Sequence, residues 1–148
     1  MKGYWNKPEA TAETIRKGWL HTGDVAVRDA DGYITIVDRL KDMIITGGMN
    51  VYSVEVENAI AAHPDVADCA VIGVPNEKYG ESILAVVTPR VGATLTLDAL
   101  KAHCRTLVAD YKVPHLLELG AVPRNPSGKI VKHKLRARIA AERQAPHA

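Results

Sequence analysis

The sequence predicts an α+β fold in which a small mixed sheet is flanked by helices. Two observations lead to this prediction. Two apolar runs, residues 66–74 and 82–88, read as buried strands joined by a turn-rich loop. Helical patterns surround them at 53–61, 96–108 and 132–142. Strands interleaved with helices over 148 residues indicate one ordinary core with a short appendage.

The remaining elements follow from local signals. A short helix is expected to begin at Thr11, or at Asn6 before Pro8, and to run through Ile15. Alternating β-forming residues on both sides of an Asp-Gly turn predict a hairpin over residues 25–36. A short strand over 43–45 should end at two glycines, and a last strand is expected over 116–122. Ser53 and Thr96 are predicted to cap the two helices that they precede.

Composition excludes several classes of protein. Hydrophobic residues make up 47% and charged residues 24%, so disorder throughout is excluded. Aromatic residues are 5% with no Phe, so the core must be aliphatic. A net charge of +2 does not imply nucleic acid, no apolar run reaches the length of a membrane span, and no signal peptide is visible. We therefore expect a cytoplasmic protein with no membrane span.

Cysteine and metal chemistry are not indicated. Cys69 and Cys104 form neither a disulfide framework nor a CxxC pair, and we expect two buried reduced thiols. No cluster of His, Cys or carboxylate residues has zinc spacing, so no metal site is predicted.

A lysine in a proline-rich loop is the first candidate functional residue. Gly128-Lys129 is not a phosphate loop, because Pro123 stands where that motif needs Gly and Ile130 where it needs Ser or Thr. Pro123, Pro126 and Gly128 restrict the loop and would aim Lys129. The alternative is an ordinary solvated lysine.

Two turns and one helix carry further candidates. Asp24, after a Thr-Gly turn, would accept hydroxyl hydrogen bonds as carboxylates do from ribose, or it is an ordinary turn residue. Gly47 and Gly48 would admit a ligand close to the backbone, or they form a tight turn. The basic residues of the last predicted helix region would meet polyphosphate or nucleic acid, or form a solvated face; they are Lys129, Lys132, Lys134, Arg136, Arg138 and Arg143.

Together these segments resemble, in order, the C-terminal portion of the adenylate-forming (AMP-binding) superfamily, most closely its acyl-CoA synthetases and ligases. The stretches that carry the resemblance are GYWNKPEAT (3–11), GWLHTGD (18–24), DRLKDMIITGG (38–48), GVPNEKYGE (73–81), YKVP (111–114) and PRNPSGK (123–129). Lys41 and the Thr46-Gly47-Gly48 stretch are most similar to fatty-acyl or aryl-CoA ligases.

The resemblance implies roles for six residues. Asp24 would hold the ribose hydroxyls, with Arg39 assisting, and Lys41 would be the hinge. Lys129 would be the catalytic lysine of adenylate formation, and Gly47-Gly48 would line the pantetheine tunnel of CoA.

The resemblance also implies a fragment of a ligase. Residues 1–38 would be the tail of a large N-terminal adenylation domain, which explains a hairpin-containing remnant before the sheet, and 39–148 the mobile C-terminal lid domain. The family's phosphate loop and acyl pocket lie upstream of every motif here, so we expect the chain to be inactive alone and to need its missing N-terminal domain. The alternative is a stand-alone, non-catalytic module that binds CoA or a partner.

The implied chemistry is that of an acid–thiol ligase. A carboxylic acid would react with ATP to give an acyl-adenylate, and the CoA thiol would then displace AMP. ATP, CoA and Mg²⁺ are the implied cofactors, with the Mg²⁺ ligands outside this chain, and fatty acid metabolism is the implied setting.

Overall fold

The computed structural model describes residues 1–144, with side chains through Glu142. The chain divides into two compact units, one of residues Met1–Lys41 and one that begins at Asp42. The assignment of residues 1–38 and 39–148 to two domains of a larger enzyme stays a prediction.

The first unit is a helix followed by two separate antiparallel strand pairs, β1–β2 and β3–β4. Its elements are α1 (Pro8–Thr14), β1 (Ile15–Arg16), β2 (Trp19–Leu20), β3 (Asp24–Arg28) and β4 (Ile34–Arg39), and a 3-10 turn (Leu40–Asp42) follows. Neither Thr11 nor Asn6 begins α1. The helix begins at Pro8, whose fixed φ suits a first helical position.

The predicted hairpin is present in this unit. Tyr33 donates its backbone N–H to Asp29 Oδ1 at 2.8 Å, and Gly32 has a φ of 91°, which favours glycine. The pair β3–β4 exposes large apolar side chains to solvent. Trp5 (89% exposed) and Trp19 (75% exposed) of the same unit are exposed as well. No residue before Asp42 belongs to a hydrophobic cluster of the described chain.

The second unit holds a five-stranded sheet and three helices. Its strands are β5 (Ile44–Thr46), β6 (Met49–Val51), β7 (Val66–Asn76), β8 (Gly80–Pro89) and β9 (Leu116–Leu119). Its helices are α2 (Ser53–Ala61), α3 (Leu97–Cys104) and α4 (Lys132–Gln144), with a 3-10 turn at Asp110–Lys112. The strand order is β6-β5-β8-β7, and β9 pairs in parallel with β8 while the other pairs are antiparallel. The predicted α+β fold with a mixed sheet is confirmed.

The long hairpin of β7 and β8, the β7–β8 ribbon, carries the core on both faces. One face packs against α2 and α3 through aliphatic side chains such as Val71, Ala85 and Leu100. The other packs against α4, where Leu135 and Ile139 are buried as the helical spacing predicts. Burial on both faces explains why β7 and β8 read as continuous apolar runs rather than as alternating patterns.

The outer edge of β7 is protected by carboxylates. Val71 donates its N–H to Glu57 Oε1 at 2.8 Å, and Cys69 donates its N–H to Asp68 Oδ1 at 2.9 Å. Glu57 lies on α2 and also pairs with Lys132 of α4 at 2.7 Å. These contacts satisfy the edge amides that would otherwise pair with another chain, and they join the helices of the two faces around the edge.

The C-terminal end of α3 and the start of α2 differ from their predictions, whereas the cap of α3 is confirmed. Thr96 does cap α3, since its hydroxyl accepts the N–H of Ala99 at 3.2 Å. The helix ends at Cys104, because the next residues form turns and the Thr106 hydroxyl bonds the carbonyl of His103. Ser53 does not cap α2: it is the first helical residue, it is buried, and its hydroxyl accepts from Lys132 Nζ at 2.7 Å.

We expect the amides of β3 and β4 to exchange with solvent much faster than those of β7 and β8. A two-stranded ribbon with no buried apolar face opens at low free-energy cost, whereas the β7–β8 ribbon is buried on both faces. Hydrogen exchange followed by NMR on this chain tests the difference. Equal protection of the Val27 and Val71 amides would contradict it.

Breaking the Glu57–Lys132 pair should cost about 3 kcal/mol or more, because the remaining partner is left charged and largely buried. We expect Lys132→Met to lower the free energy of unfolding by that amount in urea titration. The double variant Lys132→Met/Glu57→Gln should recover part of the loss, since Gln still accepts the Val71 N–H. Arg105→Ala, which removes an exposed pair with Asp110, is the control and should cost less than about 1 kcal/mol. If Lys132→Met lowered the free energy of unfolding no more than this control does, the buried pair would contribute nothing to stability.

Candidate functional site

Lys129 lies in a short exposed loop whose backbone is closed by one side chain. Asn125 Oδ1 accepts the N–H of Lys129 at 2.8 Å, and the N–H of Asn125 donates to the Lys129 carbonyl at 2.9 Å. Gly128 has a φ of 81°, a backbone conformation that favours glycine. The Lys129 side chain is exposed and its ammonium has no hydrogen-bond or ion-pair partner among the described residues.

Arg124 attaches this loop to the sheet. Its Nε and Nη2 donate to the two carboxylate oxygens of Asp68, in β7, at 2.9 and 2.7 Å. Its Nη1 donates to the carbonyl of Gly128 at 2.5 Å. The pKa of Asp68 is lowered, mainly by its hydrogen bonds from Arg124. This carboxylate therefore stays ionised across the neutral range.

The two glycines form the predicted tight turn. Gly47 and Gly48, with φ of 57° and 80°, connect β5 to β6 as a two-residue hairpin loop. Gly47 donates its N–H to the carbonyl of Tyr79 at 2.9 Å, which fixes the turn beside the end of the β7–β8 ribbon. A Cβ on Gly48 would meet nothing within 4 Å, so the backbone there is open to an approaching molecule. The structure thus shows the turn, and ligand approach stays a prediction.

Lys129 and the glycine turn are at opposite ends of this ribbon. The lysine loop is tied to Asp68, which pairs with Thr88, and the glycine turn is tied to Tyr79, beside the register pair Asn76 and Gly80. At about 3.3 Å per residue, the distance from Asp68 to Asn76 along β7 is about 26 Å. The two predicted site elements of the second unit are therefore not brought together within this unit.

Asp24 and Arg39 face each other in the first unit. They are register partners in β3 and β4, and Arg39 Nε lies 3.6 Å from Asp24 Oδ1. The Thr22 hydroxyl accepts the N–H of Asp24 at 3.2 Å. Asp24 is partly exposed and Arg39 is exposed, so this carboxylate can still accept hydrogen bonds from a ligand.

Lys41 is the last residue of the first unit and Asp42 begins the second. Lys41 is exposed, within the 3-10 turn, and has no side-chain partner among residues 1–144. Asp42, in contrast, is held by Arg136 Nη2 of α4 at 2.9 Å. At the predicted hinge, Asp42 is therefore anchored to α4 of the second unit, whereas the Lys41 side chain is not anchored.

The basic residues of the last helix are largely paired. Lys132 pairs with Glu57, Arg136 with Asp42, and Arg138 with Glu118 and Glu142. The face predicted to be solvated is thus partly a set of internal ion pairs. The side chain of Arg143 lies outside the described residues.

The cysteines have no chemical role in this site. Cys69 and Cys104 are free and buried, as predicted. Burial is the main cause that raises the pKa of Cys69, to about 12, and it raises that of Cys104 as well. Both stay protonated near neutral pH.

The described residues contain no candidate membrane span and no candidate metal site. No helix within 1–144 is long and apolar enough to cross a membrane. No group of three or more His, Cys, Asp or Glu side chains in that part of the chain could hold a metal ion.

Sequence reasoning missed the residues that hold these elements in place. Asn125 could have been found from local sequence, because an Asn two residues before a Ser in a turn often hydrogen-bonds the backbone and side chains of that turn. Asp68, Glu57 and Asp42 had no such signal, because their ion-pair partners lie 56 to 94 residues away in the chain.

Comparison with known proteins finds relatives that align with more than nine-tenths of this chain. A family profile described as the AMP-binding enzyme C-terminal domain matches residues 55–129. A feruloyl-CoA synthase of Amycolatopsis sp is 54% identical over 140 residues, which cover 94% of this chain and 28% of that protein. A long-chain-fatty-acid–CoA ligase of Yersinia pestis is 46% identical over 137 residues, covering 92% of this chain and 24% of that protein.

Solved structures agree with the sequence relatives. The crystal structure of ATP-bound MatB from Rhodopseudomonas palustris aligns with a TM-score of 0.85 at 40% identity, over 93% of this chain and 28% of that one. The chain thus spans about a quarter of the length of the relatives it matches. It belongs to the AMP-binding enzyme C-terminal domain family and corresponds to the C-terminal domain of acyl-CoA synthetases.

Proposed function

We propose that this chain is the mobile C-terminal domain of an ATP-dependent, AMP-forming acyl-CoA synthetase. The observation that carries the proposal is the free ammonium of Lys129 on a backbone fixed at both sides, at the end of the ribbon remote from an open glycine turn. In such an enzyme a carboxylate displaces pyrophosphate from ATP, and the CoA thiol then displaces AMP from the acyl-adenylate.

Lys129 would serve the first step. When the carboxylate oxygen attacks the α-phosphate, negative charge accumulates on the phosphate oxygens and on the leaving pyrophosphate. An ammonium placed among these oxygens stabilises that charge more in the transition state than in the ground state. A lysine with no partner of its own is available for this contact, which is the support that the geometry gives.

Gly47 and Gly48 would serve the second step. A thiol on the long pantetheine arm must reach the adenylate past the protein backbone, and a turn without side chains leaves space for it. Because the attachment points of the glycine turn and of the Lys129 loop are about 26 Å apart along the ribbon, one active centre cannot contact both at once. The domain would therefore present first one end and then the other, by rotation at Lys41.

Asp24 and Arg39 would hold the nucleotide through both steps. The Asp24 carboxylate can accept two hydroxyl hydrogen bonds from a ribose, and Arg39 beside it orients the carboxylate. ATP and CoA are the proposed co-substrates. Mg²⁺ would accompany the nucleotide and is assigned to no residue of this chain.

The wider setting is proposed from the relatives. A cytoplasmic enzyme that acts on an aryl or fatty acid, the latter in fatty acid metabolism, agrees with the names of the feruloyl-CoA synthase and the long-chain-fatty-acid–CoA ligase. The rest of such an enzyme would supply the phosphate loop and the acyl pocket.

A chimera tests the proposal. The N-terminal part of the Amycolatopsis feruloyl-CoA synthase is joined to this chain in place of the segment that it matches. We expect the chimera to form feruloyl-CoA from ferulic acid, ATP and CoA, and this chain alone to catalyse no pyrophosphate exchange. A chimera that binds CoA but shows neither half-reaction would favour the stand-alone binding module.

In this chimera, Lys129→Ala should slow adenylate formation by about 10²–10³-fold, because the charge stabilisation at the phosphate oxygens is lost. Thioester formation from supplied feruloyl-adenylate should change little. Pyrophosphate exchange and thioester release measure the two steps separately. Lys134→Ala, an exposed lysine of α4, is the matched control and should leave both steps unchanged. Equal slowing of both steps by Lys129→Ala would show a structural role instead.

Lys41→Pro should slow thioester formation more than adenylate formation, because proline fixes φ at the residue where the rotation is proposed. Lys41→Ala removes the same ammonium but leaves the backbone free, and should retain both activities. If the Ala and Pro variants lost thioester formation alike, the Lys41 side chain rather than its backbone would be what matters.

A further inference from the structure

We propose that Arg124 and Asn125 are positioning residues that deliver the Lys129 ammonium to the reacting phosphate in a defined place. The inference rests on the proposed role of Lys129 in adenylate formation. It extends that role to two neighbours that would not touch the substrates.

Asn125 constrains Lys129 at both backbone groups. Its Oδ1 accepts the Lys129 N–H at 2.8 Å, and its own N–H donates to the Lys129 carbonyl at 2.9 Å. The Ser127 hydroxyl donates to the same Oδ1 at 2.8 Å, which orients the amide of Asn125. The main chain of Lys129 is therefore set from the opposite side of its own loop.

Arg124 fixes the same loop to the sheet. Two of its nitrogens meet the Asp68 carboxylate and a third meets the carbonyl of Gly128, the residue directly before Lys129. Asp68 is itself held by the N–H of Cys69 at 2.9 Å. A planar guanidinium can make these three contacts at once, whereas a lysine at this position could not.

The hydrogen bonds of Arg124 and Asn125 do not compensate for the burial of polar groups in a core. Residues 124–129 are all exposed, and neither hydrophobic cluster includes any of them. What they order is the loop that carries Lys129, whose ammonium has no partner within the described part of the chain. Ordering a catalytic group before the substrate arrives removes that entropy cost from the reaction step, which is the physical reason for a fixed backbone beneath a free ammonium.

The test uses the chimera and this chain in parallel. In the chimera, Asn125→Ala and Arg124→Lys should each lower kcat of pyrophosphate exchange by about 10- to 100-fold, the range expected for a misplaced catalytic group. Thioester formation from supplied feruloyl-adenylate should be unchanged. Asn125→Asp retains the Oδ1 acceptor and should recover most of the rate. Arg105→Ala, an exposed arginine paired with Asp110, is the control and should alter neither step.

In this chain, NMR relaxation reports the position of the lysine backbone directly. The order parameter of the Lys129 amide should fall from the value of ordered backbone, about 0.85, towards about 0.6 in Asn125→Ala, while the Val71 amide is unchanged. A fold defect would lower both values.

Three results would overturn the inference. The first is an Asn125→Ala chimera with a normal exchange rate while Lys129→Ala is inactive, which leaves the proposed function intact. The second is equal slowing of both half-reactions by the positioning variants, which shows a role in folding. The third is a Lys129→Ala chimera with unchanged exchange, in which case the proposed function and this inference fail together.

Discussion

The antiparallel pairing of β7 with β8 is the constraint on which the second unit depends. Every helix of that unit packs on this ribbon, and β5 and β9 pair along its other edge. Both elements of the proposed chemistry are attached to it, the glycine turn through Tyr79 and the lysine loop through Asp68. Because the ribbon is buried on both faces, it acts as a stiff spacer, and the distance between the two elements follows from the number of residues between their attachment points.

Ion pairs connect the elements around the spacer to one another. Glu57–Lys132 joins α2 to α4 around the edge of β7, and Asp42–Arg136 joins the first residue of the second unit to α4. The helix that follows Lys129 is thus also the helix that holds the residue after Lys41. A rotation at Lys41 would carry this connected assembly as one body, which is how the proposed hinge would move the lysine and the glycine turn together.

Much of this arrangement could be predicted from local sequence. The hairpin turn at Gly32, the cap at Thr96, the buried runs of β7 and β8 and the apolar face of α4 each have a signal within a few residues. The small separate strand β6 was not predicted, and Ser53 was misjudged as a cap because its hydroxyl has a partner 79 residues away. For the site, Lys129 and the glycines could be predicted from loop composition and the family motifs. The ion pairs that hold these elements in place could not be predicted, since Asp68, Glu57 and Asp42 meet their partners only when distant segments of the chain pack together.

The most direct test of the account is a distance between the two ends of the ribbon. Met49→Cys and Ser127→Cys, both at exposed positions, are spin-labelled in the chimera, while Cys69 and Cys104 stay unlabelled because they are buried and protonated. Pulsed electron spin resonance then gives the distance with ATP and ferulic acid bound, and again with CoA. The account predicts one narrow population beyond about 20 Å that is the same in both states. A distance that shortens below this value in either state would show that the two ends approach each other, and would contradict their alternate use.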